Sequence, residues 1–141
     1  MTGLAYDVVS AAVGRLPEAI GYYEETAGIF RELEDRGGEG AALGNLGEAY
    51  RNLGRYDEAI DSYEQALAIS RDIGDRRGEG ADLGNLGNAY AALGRYDEAI
   101  DSYEKALAIA REIGDRRGEG TALGNLGNAY GNLGQIGRAH V

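Results

Sequence analysis

Residues 55–94 read RYDEAIDSYEQALAISRDIGDRRGEGADLGNLGNAYAALG, and residues 95–134 read RYDEAIDSYEKALAIAREIGDRRGEGTALGNLGNAYGNLG. The two segments differ only at the paired positions 65/105, 70/110, 72/112, 81/121, 82/122, 91/131 and 92/132. A third, diverged copy precedes them, with RLPEAI at residues 15–20 in the place of RYDEAI at residues 55–60. A period of 40 residues predicts a repeat array in which each copy packs on the next.

Each period contains two helical segments. Apolar residues recur three and four positions apart from Ala59 to Ile73, which predicts an amphipathic helix over about residues 57–73, here called helix B. Gly74 follows its last turn as a left-handed cap would. The segment Arg76–Leu93 has the same periodicity and predicts helix A, with Asp75 placed to cap it and Gly94 to end it. Since strand alternation is absent, each period is predicted to be a helix hairpin that stacks on its neighbours.

Composition limits the classes of function. An apolar fraction of 43% with a single proline argues against disorder, and the absence of cysteine excludes disulfides and thiolate metal sites. A formal charge of −10 disfavours nucleic acid and membrane partners and favours a neutral or basic protein. The sequence lacks a signal-like N-terminus and any apolar run of roughly 20 residues, so we expect a cytoplasmic protein. No cofactor or metal is expected.

A family resemblance follows from Leu83, Leu86-Gly87, Tyr90, Ala99, Tyr103 and Ala106. In order and spacing they resemble the signature of the tetratricopeptide repeat, over about residues 4–134. Arg71 and Arg111 stand where the common repeat has a proline, and helix B continues beyond them. This resembles the 40-residue variety of kinesin light chains, spindle-orientation adaptors and the sensor arrays of bacterial STAND-type regulators. The resemblance implies an all-α, right-handed superhelical solenoid of antiparallel helix hairpins.

The expected organisation is one array over residues 1–134, with a partial repeat at 1–14, containing a short helix around residues 4–13, and full repeats at 15–54, 55–94 and 95–134. Residues 135–141 read QIGRAHV where the period requires RYDEAID, and we interpret them as a translated sequencing adapter on a fragment of a longer protein. The last helix A, expected over Arg116–Leu133, then has no helix B beside it. We therefore expect this uncovered apolar end to self-associate.

The resemblance also implies that helix A lines the concave surface. Residues three and four apart share a helix face, and asparagine recurs on that face although it is a weak helix former. The candidate peptide-binding residues are Asn45, Glu48 and Asn52 in the first row, Asn85 and Asn88 in the second, and Asn125, Asn128 and Asn132 in the third, with Gly84 as a further groove position beside the second row. A carboxamide both donates and accepts, so such rows can pair with the backbone of an extended peptide. The alternative is that the asparagines bond only to one another and to water.

The glycines and the basic residues refine this interpretation. Gly84 either opens space for a ligand or is merely tolerated in a weak helix, whereas a side chain at Gly87 is expected to push Ala99 of helix B away. Arg51 is the one basic residue expected near the rows, which disfavours capture of a C-terminal carboxylate, and Glu48 favours a partner with basic character.

The function predicted from sequence is a non-catalytic scaffold that binds a protein or peptide, as part of a larger adaptor or signalling regulator. The alternative is a structural, self-associating array. An enzymatic interpretation of Gly78-Glu79-Gly80 as a phosphate-binding loop fails, since no strand precedes it and no lysine follows, and we interpret it as a repeat junction.

Overall fold

The computed structural model describes residues 14–139, so the expected N-terminal helix over residues 4–13 and the last two residues lie outside the described part. The described residues form six α-helices and no strand: α1 Leu16–Glu32, α2 Arg36–Asn52, α3 Tyr56–Ile73, α4 Arg76–Ala92, α5 Tyr96–Ile113 and α6 Arg116–Ala139. Helices α1, α3 and α5 are of type B, and helices α2, α4 and α6 are of type A.

Each helix packs chiefly on the helix before it and the helix after it. The chain is an all-α, right-handed superhelical solenoid of antiparallel helix hairpins, which confirms the predicted fold class. The largest core cluster joins Ile60 and Leu67 of α3 to Leu83 and Leu86 of α4, with Ile109 of α5 completing it. Apolar burial between consecutive helices therefore holds the array together, and no single hairpin buries its apolar face alone.

The tightest contact between helices places a tyrosine ring against a glycine. A Cβ atom on Gly47 of α2 would lie 2.6 Å from Cε1 of Tyr63 in α3, far inside van der Waals contact. Gly87 of α4 meets Tyr103 of α5 in the same way. Ala99 was expected to be the neighbour of Gly87, but the Tyr103 ring lies nearest because its longer side chain reaches across the helix pair.

Most helix ends agree with their predicted signals to within a residue. Gly74 ends α3 in the left-handed conformation at φ 72°, and the Asp75 carboxylate accepts a hydrogen bond of 2.9 Å from the Gly78 N–H at the start of α4. Helix α4 ends at Ala92, with Gly94 at φ 76° and the Arg95 N–H donating to the Tyr90 carbonyl at 2.9 Å.

The end of the last helix was wrongly predicted. Helix α6 was expected to end at Leu133, but it continues through Gly134 to Ala139. In the preceding A helices the turn is braced by an arginine whose guanidinium carbon lies 4.9 Å from the centroid of a tyrosine ring, Arg55 over Tyr50 and Arg95 over Tyr90. Gln135 occupies this position after α6 and supplies no cation, and Gly134 is helical.

The turns from helix B to helix A differ in one residue that bears on stability. Gly74 and Gly114 adopt positive φ angles of 72° and 73°, whereas the equivalent residue after α1 is Glu34, with φ 56°. A Cβ atom is unfavourable in this conformation because it approaches the following carbonyl oxygen. The first turn is therefore strained relative to the other two.

We expect Glu34→Gly to relieve this strain and to raise the free energy of unfolding by about 1 kcal/mol. The reciprocal change Gly74→Glu should lower it by a similar amount. Urea unfolding followed by far-UV circular dichroism measures both. Equal stabilities of Glu34→Gly and the parent chain would show that the left-handed glutamate carries no strain.

Candidate functional site

A cleft opens between the A helices α4 and α6, above the intervening B helix α5, with a cavity volume of about 470 Å³. Its walls include Gly84, Asn85 and Asn88 of α4 and Thr121 and Asn125 of α6. Its floor is apolar and comes largely from α5: Tyr103, Ala106, Ile109, Ala110 and Ile113. We call this the α4–α6 cleft. It combines an apolar floor with carboxamides on both walls, the usual make-up of a binding site.

Four of the predicted site residues line this cleft: Gly84, Asn85, Asn88 and Asn125. The other five do not line it: Asn45, Glu48, Asn52 and Asn128, which are exposed, and Asn132, which is half-buried. A Cβ atom on Gly84 would meet nothing within 4 Å, so the missing side chain leaves open space at the wall. Within residues 14–139 no side-chain hydrogen bond joins Asn45, Asn85 or Asn125 to one another. Their contact with a ligand stays a prediction.

Asn88 has a structural contact as well as a place in the wall. Its Oδ1 atom accepts a hydrogen bond of 2.7 Å from the Tyr103 hydroxyl. Burial raises the pKa of Tyr103, which keeps the hydroxyl protonated as the donor. The Asn88 carbonyl oxygen is therefore engaged in holding the floor of the cleft, and its NH₂ group is the part that can reach a ligand.

Two arginines that the sequence analysis missed line one end of the cleft. Arg77 and Arg117 lie there beside Asp115. The Arg77 side chain is 74% exposed, and its Nη1 atom lies 3.7 Å from Asp115 Oδ2, a weak ion pair. The expectation that Arg51 is the one basic residue near this face was therefore wrong. Helical spacing was enough to predict Arg77 at the cleft, since Arg77, Ala81 and Gly84 lie on one face of α4 and continue the wall one turn towards its N-terminus.

The first arginine of each Arg-Arg pair, Arg76 or Arg116, contacts a glutamate of its own helix and does not line the cleft. Arg76 Nη1 lies 2.8 Å from Glu79 Oε1, and Arg71 Nε at the end of α3 lies 3.4 Å from Glu79 Oε2. Arg76 also pairs with Glu112 at the end of α5. Glu79 is buried, and Arg31 and Arg36 hold Glu39 in the same manner one period earlier. Gly78-Glu79-Gly80 therefore forms the first turn of α4, and its carboxylate is held by two guanidinium groups.

The junction of α3 with α4 contains a buried polar pair that the junction of α5 with α6, beneath the α4–α6 cleft, does not have. The Ser70 hydroxyl of α3 donates a hydrogen bond of 2.8 Å to Asp82 Oδ2 of α4, and both side chains are buried. One period later the same two positions are Ala110 and Ala122, which line the α4–α6 cleft. Burial raises the pKa of Asp82 to about 6, and the Ser70 hydroxyl opposes this increase by stabilising the carboxylate.

Residues 14–139 contain neither a metal-binding cluster nor a membrane-spanning helix. No group of three or more His, Cys, Asp or Glu side chains in this range has an arrangement suited to a metal ion. None of the helices described combines the length and apolarity needed to span a membrane.

Comparison with known proteins places the chain in a family. The family model described as tetratricopeptide repeat matches residues 8–72 and 81–140. No curated protein sequence matches the chain.

Several solved structures resemble the fold. BtubC (BKLC) from P. vanneervenii has a TM-score of 0.77 at 23% identity and aligns with 90% of this chain and 53% of its own. A putative kinesin light chain from Podosopora anserina with nearly identical TPR-like repeats has a TM-score of 0.73 at 26% identity, covering 89% of this chain and 63% of its own. A Signal Transduction ATPase with Numerous Domains (STAND) protein with a tetratricopeptide repeat sensor, from Pyrococcus horikoshii, has a TM-score of 0.75 at 26% identity, covering 82% of this chain and 18% of its own. The chain spans less than two thirds of each of these proteins.

The buried Ser70–Asp82 pair predicts a pH-dependent stability. The folded chain holds the Asp82 proton more tightly than the unfolded chain, whose aspartates titrate near about 3.9. This contribution to folding is therefore fully present below about pH 4 and is lost as the pH rises to about 6. The double variant Ser70→Ala/Asp82→Ala reproduces the Ala110/Ala122 pair and lacks this titrating group. Its free energy of unfolding, relative to that of the parent, should therefore rise by about 2 kcal/mol from about pH 4 to about pH 7. Urea unfolding across this range measures the difference, and parallel pH profiles would contradict the prediction.

Proposed function

The chain belongs to the tetratricopeptide repeat family, and we propose that it is a non-catalytic scaffold that binds a protein or an extended peptide on the concave face of α2, α4 and α6. Repeats of this family generally mediate protein–protein interactions or scaffolding. The observation that supports binding on this face is the α4–α6 cleft, with Asn85 on one wall and Asn125 on the other.

The chemistry of the cleft suits an extended segment. Asn85 and Asn125 each offer a donor and an acceptor, which complement the N–H and C=O groups of a peptide backbone whatever its side chains are. Gly84 leaves room for that backbone, and the apolar floor of Ile109 and Ile113 can bury one of its side chains. Backbone pairing contributes affinity, and the buried side chain contributes selectivity.

We propose that the array of residues 1–134 is the partner-recognising part of a larger cytoplasmic adaptor or signalling regulator, and that residues 135–141 derive from a sequencing adapter. The putative kinesin light chain and the STAND protein with a repeat sensor support this role. The net charge of −10 disfavours phosphate backbones and anionic membranes as partners.

Removing the two carboxamides that face each other across the cleft tests the proposal. We expect the parent chain to select peptides from a random library of linear peptides, and Asn85→Ala/Asn125→Ala to bind a selected peptide about tenfold more weakly in fluorescence anisotropy, because two hydrogen bonds are lost. Asn88 is left intact because it holds Tyr103.

The matched control is Gln65→Ala, which removes a carboxamide from the exposed face of α3. It should leave the affinity unchanged, and circular dichroism should show equal helicity in all three proteins. Unchanged affinity in the asparagine double variant, or a library from which nothing is selected, would contradict the proposed function.

A second candidate function is self-association through the outer face of α6. Leu83 of α4 is 3% exposed beneath α5, whereas the equivalent Leu123 of α6 is 47% exposed. Gly87 receives the Tyr103 ring, but a Cβ atom on the equivalent Gly127 would meet nothing within 4 Å. In the part of the chain that the structure describes, α6 thus presents the surface on which a helix B packs. We propose that a second copy of the chain covers it.

Sedimentation velocity over a range of concentrations tests this candidate. The parent chain should show a mass that rises with concentration, while Leu123→Lys/Ile136→Lys should stay monomeric, since both exposed apolar side chains become charged. The control Ala108→Lys places a charge on the exposed face of α5 and should behave like the parent. A parent chain that is monomeric at every concentration would rule this candidate out.

A further inference from the structure

The concave face contains a second position equivalent to the α4–α6 cleft, one period earlier, between α2 and α4 above α3. We call it the α2–α4 cleft. Its wall residue Gly44 corresponds to Gly84, and a Cβ atom there would likewise meet nothing within 4 Å. Asn45 and Asn85 stand on its two sides as Asn85 and Asn125 stand on those of the later cleft. The two clefts share a backbone plan and differ in a few side chains.

Those differences change the charge of the cleft. Glu48 replaces Asn88 in the wall, and Ser70 and Asp82 replace Ala110 and Ala122 at the base. Gly37 stands at the position that Arg77 occupies in the later cleft. The earlier cleft thus gains two carboxylates and loses one arginine relative to the later one.

The count of charged groups gives the two clefts opposite signs. Arg77 and Arg117 against Asp115 leave the α4–α6 cleft with one positive charge. The corresponding groups of the α2–α4 cleft are Glu48, Asp75 and Asp82 against Arg77, which leave two negative charges when all are ionised. Arg51, at the position of Ala91, lies close enough to act on Tyr63 and offsets one of them, so the net sign stays negative. Arg77 belongs to both clefts and forms a weak ion pair with Asp115 of the later one.

A buried hydroxyl supports a special role for position 48. The Tyr63 side chain is completely buried, and among the described residues its hydroxyl has no hydrogen-bond partner. The equivalent Tyr103 hydroxyl is directed at the cleft wall and donates to Asn88, whose place is taken by Glu48 one period earlier. By equivalence with Tyr103, the Tyr63 hydroxyl is a donor towards the wall of the α2–α4 cleft, and the Glu48 carboxylate that stands there is not bonded to it. A carboxylate has lone pairs for both this hydroxyl and an external cation.

We propose that the α2–α4 cleft receives the cationic side chain of a lysine or arginine from the bound peptide, with Glu48 as its ionic partner. This inference rests on the proposed function and adds the chemistry of the ligand. The α4–α6 cleft, which has Asn88 and Ala122 at the corresponding positions, receives an uncharged side chain. Two clefts of opposite charge fix the register and the direction of the peptide along otherwise near-identical repeats.

A small probe tests the charge preference independently of any natural ligand. N-acetyl-arginine methylamide, and N-acetyl-glutamate methylamide as its anionic counterpart, are titrated into the isotope-labelled chain and followed by amide chemical shifts. The arginine probe should shift the amides of Gly44, Asn45 and Glu48 more than those of Gly84, Asn85 and Asn88. The glutamate probe should leave the amides around Glu48 unshifted.

The matched variant is Glu48→Asn, which reproduces the residue of the next repeat. It should weaken the arginine probe about fivefold, the effect of losing one partly exposed ion pair. It should also preserve the fold, since it gives Tyr63 the acceptor that Asn88 gives Tyr103. The reciprocal Asn88→Glu should make the later cleft respond to the arginine probe.

The outcomes separate this inference from the proposed function. Equal shifts in both clefts, no shift at Glu48, or an unchanged response in Glu48→Asn would overturn the inference. Peptides selected by the parent chain without a fixed cationic position would also overturn it while leaving peptide binding intact. A library that yields no peptide bears on the proposed function, and the response to the arginine probe still decides the charge of the cleft.

Discussion

The close approach of a tyrosine ring to a glycine sets the spacing on which the rest of the array depends. Tyr63 lies over Gly47 and Tyr103 over Gly87, so α3 and α5 each approach the preceding helix A as closely as a missing side chain allows. The glycines weaken the A helices by roughly 1 kcal/mol each, and burial of the aromatic ring offsets this cost. Because α5 packs on α4 in this way, α4 and α6 leave the α4–α6 cleft between them.

A buried ion-pair junction fixes the register of that stacking. Glu79 is held by Arg71 of the preceding helix B and by Arg76 of its own helix, and Arg76 continues to Glu112 of the next helix B. Such a cluster adds little net stability because the Glu79 carboxylate is desolvated while its guanidinium partners stay partly exposed, but a misplaced repeat would leave a buried carboxylate unpaired. The junction also explains why adjacent arginines behave differently: Arg76 is held in the junction, and Arg77 remains available at the cleft.

Local patterns were sufficient to predict the helices and most of their ends. Gly74 and Asp75 act within a few residues of their position, so their roles can be deduced from sequence. The contacts between helices could not be deduced in this way, since Asn88 meets Tyr103 across 15 residues and Ser70 meets Asp82 across 12. The end of α6 was missed for a related reason: α2 and α4 end where an arginine after the glycine packs on a tyrosine of the last turn, whereas Gln135 follows Gly134. The asparagine rows followed from helical spacing, but the arginines at the cleft required the relative placement of two helices.

Because the repeats are nearly identical, selectivity for a peptide must come from the few positions at which they differ. Most residues of a period serve the stacking, so the same residues recur at each junction and present the same surface to a ligand. A difference between successive clefts must then come from positions that the stacking tolerates. Position 48 lies at an exposed wall. Positions 70 and 82 are Ser and Asp, which form a hydrogen bond, and the equivalent positions one period later are Ala and Ala. Neither pair leaves a buried polar side chain without a partner. Paired exchanges of this kind change the charge of a cleft without disturbing the tyrosine and glycine fit beneath it.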